Sequence, residues 1–122
     1  MEIEELVAAL AGVPPDSSDP SIDWGHRGNL WNELAEKSEA LLKSVAPDAF
    51  CTVQEWDNCI DCVVRQPDGS VVTEMIGLHG LNVDRIVTTA ARLRRRSLGE
   101  AVELVNERGR SVYLGGPLPD LR

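Results

Sequence analysis

The chain has 122 residues, of which 43% are hydrophobic and 26% charged, and its formal net charge is −8. That length suits one domain with a single core, and that composition excludes a wholly disordered chain. The acidity excludes a generic binder of nucleic acid or of an anionic membrane, because both require a net positive face.

The first segment, MEIEELVAALAG, carries three glutamates and no base, the opposite of a signal or transit peptide. No apolar run approaches the ~20 residues needed to span a bilayer. A cytoplasmic location is therefore expected, and an odd count of three cysteines agrees with it. Ile3, Leu6, Val7 and Leu10 recur at helical spacing over 2–11, and Gly12 with Pro14 and Pro15 ends that helix. Residues 12–28 then read as an acidic Pro/Ser loop containing Asp16, Asp19, Asp23 and Trp24.

A second helix is expected from a cap at Asn29 to about Val45. Leu30, Leu34, Leu41, Leu42 and Val45 make its apolar stripe, with Trp31 beside them. Pro47 stops it. Next comes CTVQEWDNCIDCVV, residues 51–64, which holds all three cysteines. Asp57-Asn58 reads as a two-residue hairpin turn joining strands 50–56 and 59–66, with 56 opposite 59, 53 opposite 62 and 51 opposite 64. One face then carries Cys51, Val53, Glu55, Ile60, Cys62 and Val64, and the other carries Thr52, Gln54, Trp56, Cys59, Asp61 and Val63. Cys59 and Cys62 point to opposite faces. A zinc knuckle needs both sulfurs converging on a tight turn, and a thioredoxin-type pair needs a helix N-terminus. The reading is therefore core cysteines, no metal and no cofactor, with Cys59 the most reachable thiol. QPDGS is a turn into a third strand, 71–78, which completes an antiparallel meander. Glu74 falls on the same face as Glu55, and together they are a candidate carboxylate pair for a cation or a basic side chain.

Beyond LHGLN, the pattern Val83, Ile86, Val87, Ala90, Leu93 favours helix over strand. SLGE, residues 97–100, has the form of a capping box opening another helix with Leu98, Ala101, Val102 and Val105 on its buried face. SVYLGG adds a short last strand, and 116–122 is a loose tail. The whole is a single α+β domain over 1–122: two N-terminal helices, a three-stranded antiparallel meander, one or two further helices, and a last strand.

DRIVTTAARLRRRSLGEAVELVNER, residues 84–108, resembles the two helices of ribbon-helix-helix repressors, in which a basic-ended helix is followed by one opened by Ser. The resemblance implies a DNA-binding regulator using Arg92, Arg94, Arg95 and Arg96. It departs from that pattern in the preceding strand, VVTEMIGL, which carries an acid where base-reading side chains would stand. The plainer reading of the four arginines is a solvated helix end that complements the helix dipole.

Function is not declared by any motif: GxSxG, HExxH, P-loop and GxGxxG are all absent. His26 and His79 could pair with a cysteine in a small thiol-dependent enzyme, or simply sit in loops. Charge points elsewhere. Residues 1–82 contain fifteen acids and four bases, a net −11, whereas residues 83–122 are net +3. The leading expectation is a non-enzymatic acidic protein that masks a basic partner protein, of the immunity-protein or antitoxin inhibitor kind. The partner would be a toxin or a secreted effector, an acidic secretion chaperone shares the same features, and a homodimer is compatible with them. Asp16, Asp19, Asp23, Trp24, Trp56, Asp57 and Asp61 are the candidate partner-binding residues, with the tryptophans as buried anchors in the complex. Trp31 competes evenly between anchor and core.

Overall fold

The computed structural model describes residues 1–14 and 17–99, and the backbone of two further strands at 102–105 and 111–114. Three helices and a three-stranded antiparallel sheet form the body of an α+β fold.

Helix α1 spans Ile3–Ala11 and buries Ile3, Leu6 and Leu10; the Glu5 carboxylate accepts the Glu2 N–H at 3.1 Å, closing its first turn. Helix α2 spans Trp24–Val45, 22 residues. It starts five residues before the expected cap, because Asp23 is the N-cap and accepts the His26 N–H at 3.0 Å. Asn29 lies more than a turn inside the helix. The expected 12–28 loop therefore stops at Asp23. The earlier start adds Arg27 to the buried stripe of Leu30, Trp31, Leu34, Ser38 and Leu42. Trp31 keeps only 1% of its surface exposed and is a core residue.

Strands β1 (Ala49–Gln54), β2 (Cys59–Arg65) and β3 (Val71–Gly77) make the meander in that order. The first hairpin is looser than expected. Asp57 and Asn58 donate N–H groups back to the Gln54 and Glu55 carbonyls, and Asn58 takes the left-handed region at φ +56°, so four residues turn instead of two. Cys51 therefore faces Cys62, Val53 faces Ile60 and Gln54 faces Cys59. Each β1 residue meets a partner two positions from the expected one. Because side chains alternate with period two, a two-residue slip leaves both face assignments intact. Cys51, Val53, Ile60, Cys62 and Val64 do share the core face. Trp56, removed from the strand, stands at the turn with 77% of its surface exposed. The second turn is tight as expected: Gly69 has φ +89°, and Asp68 accepts from Ser70.

After a 3-10 turn at Leu78–Gly80, helix α3 spans Val83–Ser97, capped by Asn82, whose side chain accepts the Arg85 N–H at 2.8 Å. Ile86, Ala90 and Leu93 face the sheet, and α2 and α3 pack side by side over the same face. Helix α1 lies against α2, and the Glu4 carboxylate reaches across to accept the Val83 N–H at 3.3 Å.

The second helix of the expected C-terminal pair does not form. Ser97 belongs to the last turn of α3, where its hydroxyl donates to the Arg94 carbonyl at 2.7 Å instead of opening a new helix. Gly99, at φ +84°, ends the helix, and Leu98, expected in a buried face, is 65% exposed. Strands β4 (Val102–Val105) and β5 (Ser111–Leu114) follow as an antiparallel pair. The β-branched valines of VELV suit a strand as well as their spacing suited a helix. The expected tail, 116–122, lies outside the described residues. Among the described residues no helix is long and apolar enough to cross a membrane.

Candidate functional site

The N-terminus of α2 and the β1–β2 turn meet to form a cleft. Trp24, the first residue of α2, and Arg27, one turn later, supply one wall; Glu55 and Trp56, from the turn, supply the other. The enclosed volume is about 130 Å³, room for one side chain. A wider, shallower recess of about 520 Å³ shares Glu55 and Trp56 and extends along β1 to Val53 and along α2 to Asn32. The two tryptophans are 45% and 77% exposed, although indoles are among the most apolar bodies a surface can carry.

Arg27 organises this place. Its side chain is 93% buried, since only 7% remains accessible. Nη1 donates to the Leu10 carbonyl at 3.0 Å, which ties the end of α1 to the start of α2. The guanidinium carbon sits 5.9 Å from the Trp24 ring centroid, within cation–π range. Nη2 has no acceptor among the described residues. On its far side Arg27 also walls a separate cavity of about 260 Å³ shared with His26 and Asp23.

The expected binding residues are only partly brought together. Trp24 and Trp56 share the cleft, and Asp57 sits beside Trp56 in the same turn. Asp23 is occupied as the α2 cap. Asp19 is engaged in its own loop: hydrogen bonds from the Ser21 N–H and then the Ser21 hydroxyl hold its carboxyl below the usual range. Asp61 lies on the outer sheet face, opposite Thr52 and Met75, away from the cleft. Asp16 lies outside the described residues. Sequence reasoning missed Arg27 as a site residue and gave Glu55 a different task. The signal for Arg27 was present: once Asp23 caps the helix, Trp24 and Arg27 are three apart on one face.

Glu55 and Glu74 do not form a carboxylate pair. Glu74 instead meets a basic side chain of its own chain. Arg92 Nε donates to both Glu74 oxygens, at 2.8 and 3.0 Å, with the two side chains 15% and 11% exposed. Arg94 Nη1 donates to the Val45 carbonyl at the end of α2, and Arg96 Nη1 to the Thr73 carbonyl of β3. Arg95 also has an interaction partner. These contacts tie α3 to α2 and to the sheet, while Arg94 and Arg95 remain exposed at the helix end.

The thiols are placed for packing. Cys59, expected to be the reachable one, is 2% exposed in the central strand between Gln54 and Gly77. Burial, then Asp61 and Asp57, pushes its thiol pKa up. Burial first and then Glu39 raise Cys51 to about 11, and its Sγ donates to the Ala35 carbonyl at 3.1 Å. Cys62 is raised to about 12 by burial, with smaller contributions from Cys51, Glu74 and Asp61. A nucleophilic cysteine needs the opposite shift. His26 and His79 are both exposed. Among the described residues no cluster of three or more His, Cys, Asp or Glu is arranged to hold a metal.

No protein-family model, curated protein or solved structure matches the chain.

Proposed function

We propose that this chain is a non-enzymatic acidic binding protein that masks a basic partner protein, as immunity proteins and antitoxins do, and that the Trp24–Trp56 cleft is its point of contact. The observation that carries this reading is the meeting of two exposed tryptophans, 32 positions apart in the sequence, around one side-chain-sized cleft. Neither indole is needed to fill the core, whose aromatic member is Trp31. Exposed tryptophans at the rim of a small cleft are the usual anchors of a protein interface. The surrounding charge supplies the sign of the partner: Glu55, Asp57 and Asp23 lie at or beside the cleft, within a segment of net −11. Long-range attraction of that kind speeds encounter and is screened by salt.

The test is capture of the partner from the native host, followed by rate measurements with variants. Trp56→Ala should raise the dissociation rate at least tenfold, the scale of about 1.4 kcal/mol, without changing the melting temperature. Glu55→Gln with Asp57→Asn should slow association and flatten its salt dependence. Asp23 is unsuited to the same test, because its side chain caps α2 and its removal would weaken the fold. Unchanged rates in both variants would overturn the reading.

A further inference from the structure

The cleft also indicates which part of a partner it takes, an inference that rests on the masking function above. Four features define the occupant. The cavity, at about 130 Å³, holds one side chain. Trp24 already has the Arg27 guanidinium on its ring, whereas Trp56 is 77% exposed and its faces are open to an incoming group. Glu55 lines the same cavity as an exposed carboxylate. Arg27 is more than nine-tenths buried and its Nη2 has almost no exposed surface, so it walls the cleft without offering a donor to the occupant.

We propose that the cleft binds one arginine residue of the partner. Its planar guanidinium lies across the Trp56 indole and presents paired N–H donors to the Glu55 carboxylate. Arginine fits better than lysine because an ammonium can neither stack on the indole nor meet a carboxylate with two parallel donors. Within the cavity Glu55 balances Arg27, and Asp57, next to Trp56 in the turn, adds negative charge at the rim. Arg27 joins α1 to α2 and holds Trp24 in place beside the incoming side chain.

The three tryptophans make the test self-controlled. Their indole N–H resonances would be followed while N-acetyl-arginine-N-methylamide is titrated into the intact protein. Saturable shifts of Trp24 and Trp56 are expected, with Trp31 still, and half-saturation at roughly 1–10 mM, as suits so small a ligand. The citrulline analogue, the same shape without charge, should bind at least about tenfold more weakly, whereas butylguanidinium, which keeps the charged plane, should bind within about threefold of the arginine probe. Trp56→Ala and Glu55→Gln should each weaken the arginine probe about fivefold or more while unfolding as wild type does. Equal binding of the citrulline analogue, failure of butylguanidinium to bind, or shifts at Trp31 matching those at Trp24 and Trp56 would overturn the proposal. If the captured partner depends on Trp56 but the arginine probe does not bind, this inference falls and the masking function stands. If the probe binds and partner capture ignores Trp56→Ala, the pocket chemistry stands and the masking function falls.

Discussion

Removing Arg92 is the sharpest test of how this fold is held together. The Arg92–Glu74 pair joins α3 to β3 through two hydrogen bonds of 2.8 and 3.0 Å. Stripping one partner from a buried pair costs about 3–5 kcal/mol, because a desolvated charge is left alone. Here 15% and 11% of the two side chains still reach solvent, so water partly solvates the survivor and the cost falls just below that range. Arg92→Met should therefore destabilise by about 2.5 kcal/mol, and Glu74→Met by a similar amount, each lowering the melting temperature by about 10 °C. The double variant leaves no orphaned charge and packs two flexible apolar chains, so it should lose only about 2 kcal/mol in total. Urea unfolding of the four proteins then gives a coupling energy of about 3 kcal/mol. Strict additivity, with the double variant losing about 5 kcal/mol, would refute the view that the charges are matched to each other.

Gly99→Ala should cost about 1 kcal/mol, because φ +84° suits glycine; were 97–108 a continuous helix, the same change would stabilise by about as much, so the sign in a melting experiment decides. Asp23→Ala should cost about 1 kcal/mol and Asn29→Ala almost nothing, and the reverse ranking would move the α2 cap back to Asn29. Cys51 and Cys62 should resist alkylation at pH 8 until the protein unfolds, and prompt labelling of the native state would contradict their burial. Their folded pKa values, about 11 and about 12, stand above the ordinary 9.0, so the folded state retains protons that the unfolded state releases. That contribution to stability is complete below pH 9 and is lost as pH climbs toward 11–12, at up to about 1.4 kcal/mol per pH unit per thiol. A Cys51→Ala, Cys62→Ala double variant should show a shallower decline over that window, and parallel curves would refute it.

Local patterns were legible where one period dominated. Helix α1, the body of α2, the three strands and the identity of the core face all follow from spacing, and so does the first part of α3. Three features were not legible, each for a physical reason. The start of α2 was hidden because both Asp23 and Asn29 are good caps, and only packing of Arg27 and Leu30 against α1 favours the earlier one. The β1–β2 turn was misjudged because Asp57-Asn58 satisfies a two-residue hairpin locally, whereas the sheet register is fixed by longer pairing along β1 and β2. Residues 97–105 contain a capping-box pattern and, at once, Val102 and Leu104 at strand spacing, and short segments of that kind take whichever structure their surroundings favour. The site suffered from the first two errors together. With α2 starting late and Trp56 in a strand, nothing placed Trp24, Arg27, Glu55 and Trp56 in one cleft.

The hydrogen bond from Val83 to Glu4 spans 79 positions, whereas the meander is closed by turns of only a few residues. Starting from an open chain, closing a loop of that length costs about 2.6 kcal/mol more than closing a four-residue turn. The order of assembly follows. The hairpins and α2 can gather first through contacts near in sequence, while α1 must wait for the start of α3 before the Glu4 carboxylate has an N–H to meet. A terminal helix that packs mainly on α2 and whose long-range tie forms late is also the first to leave. Amide hydrogen exchange should therefore find α1 opening well below the energy of global unfolding, with the central strand β2 reporting the full value. Because the Leu10 carbonyl releases Arg27 when α1 departs, the cleft would be rebuilt and lost with the fraying of that first helix.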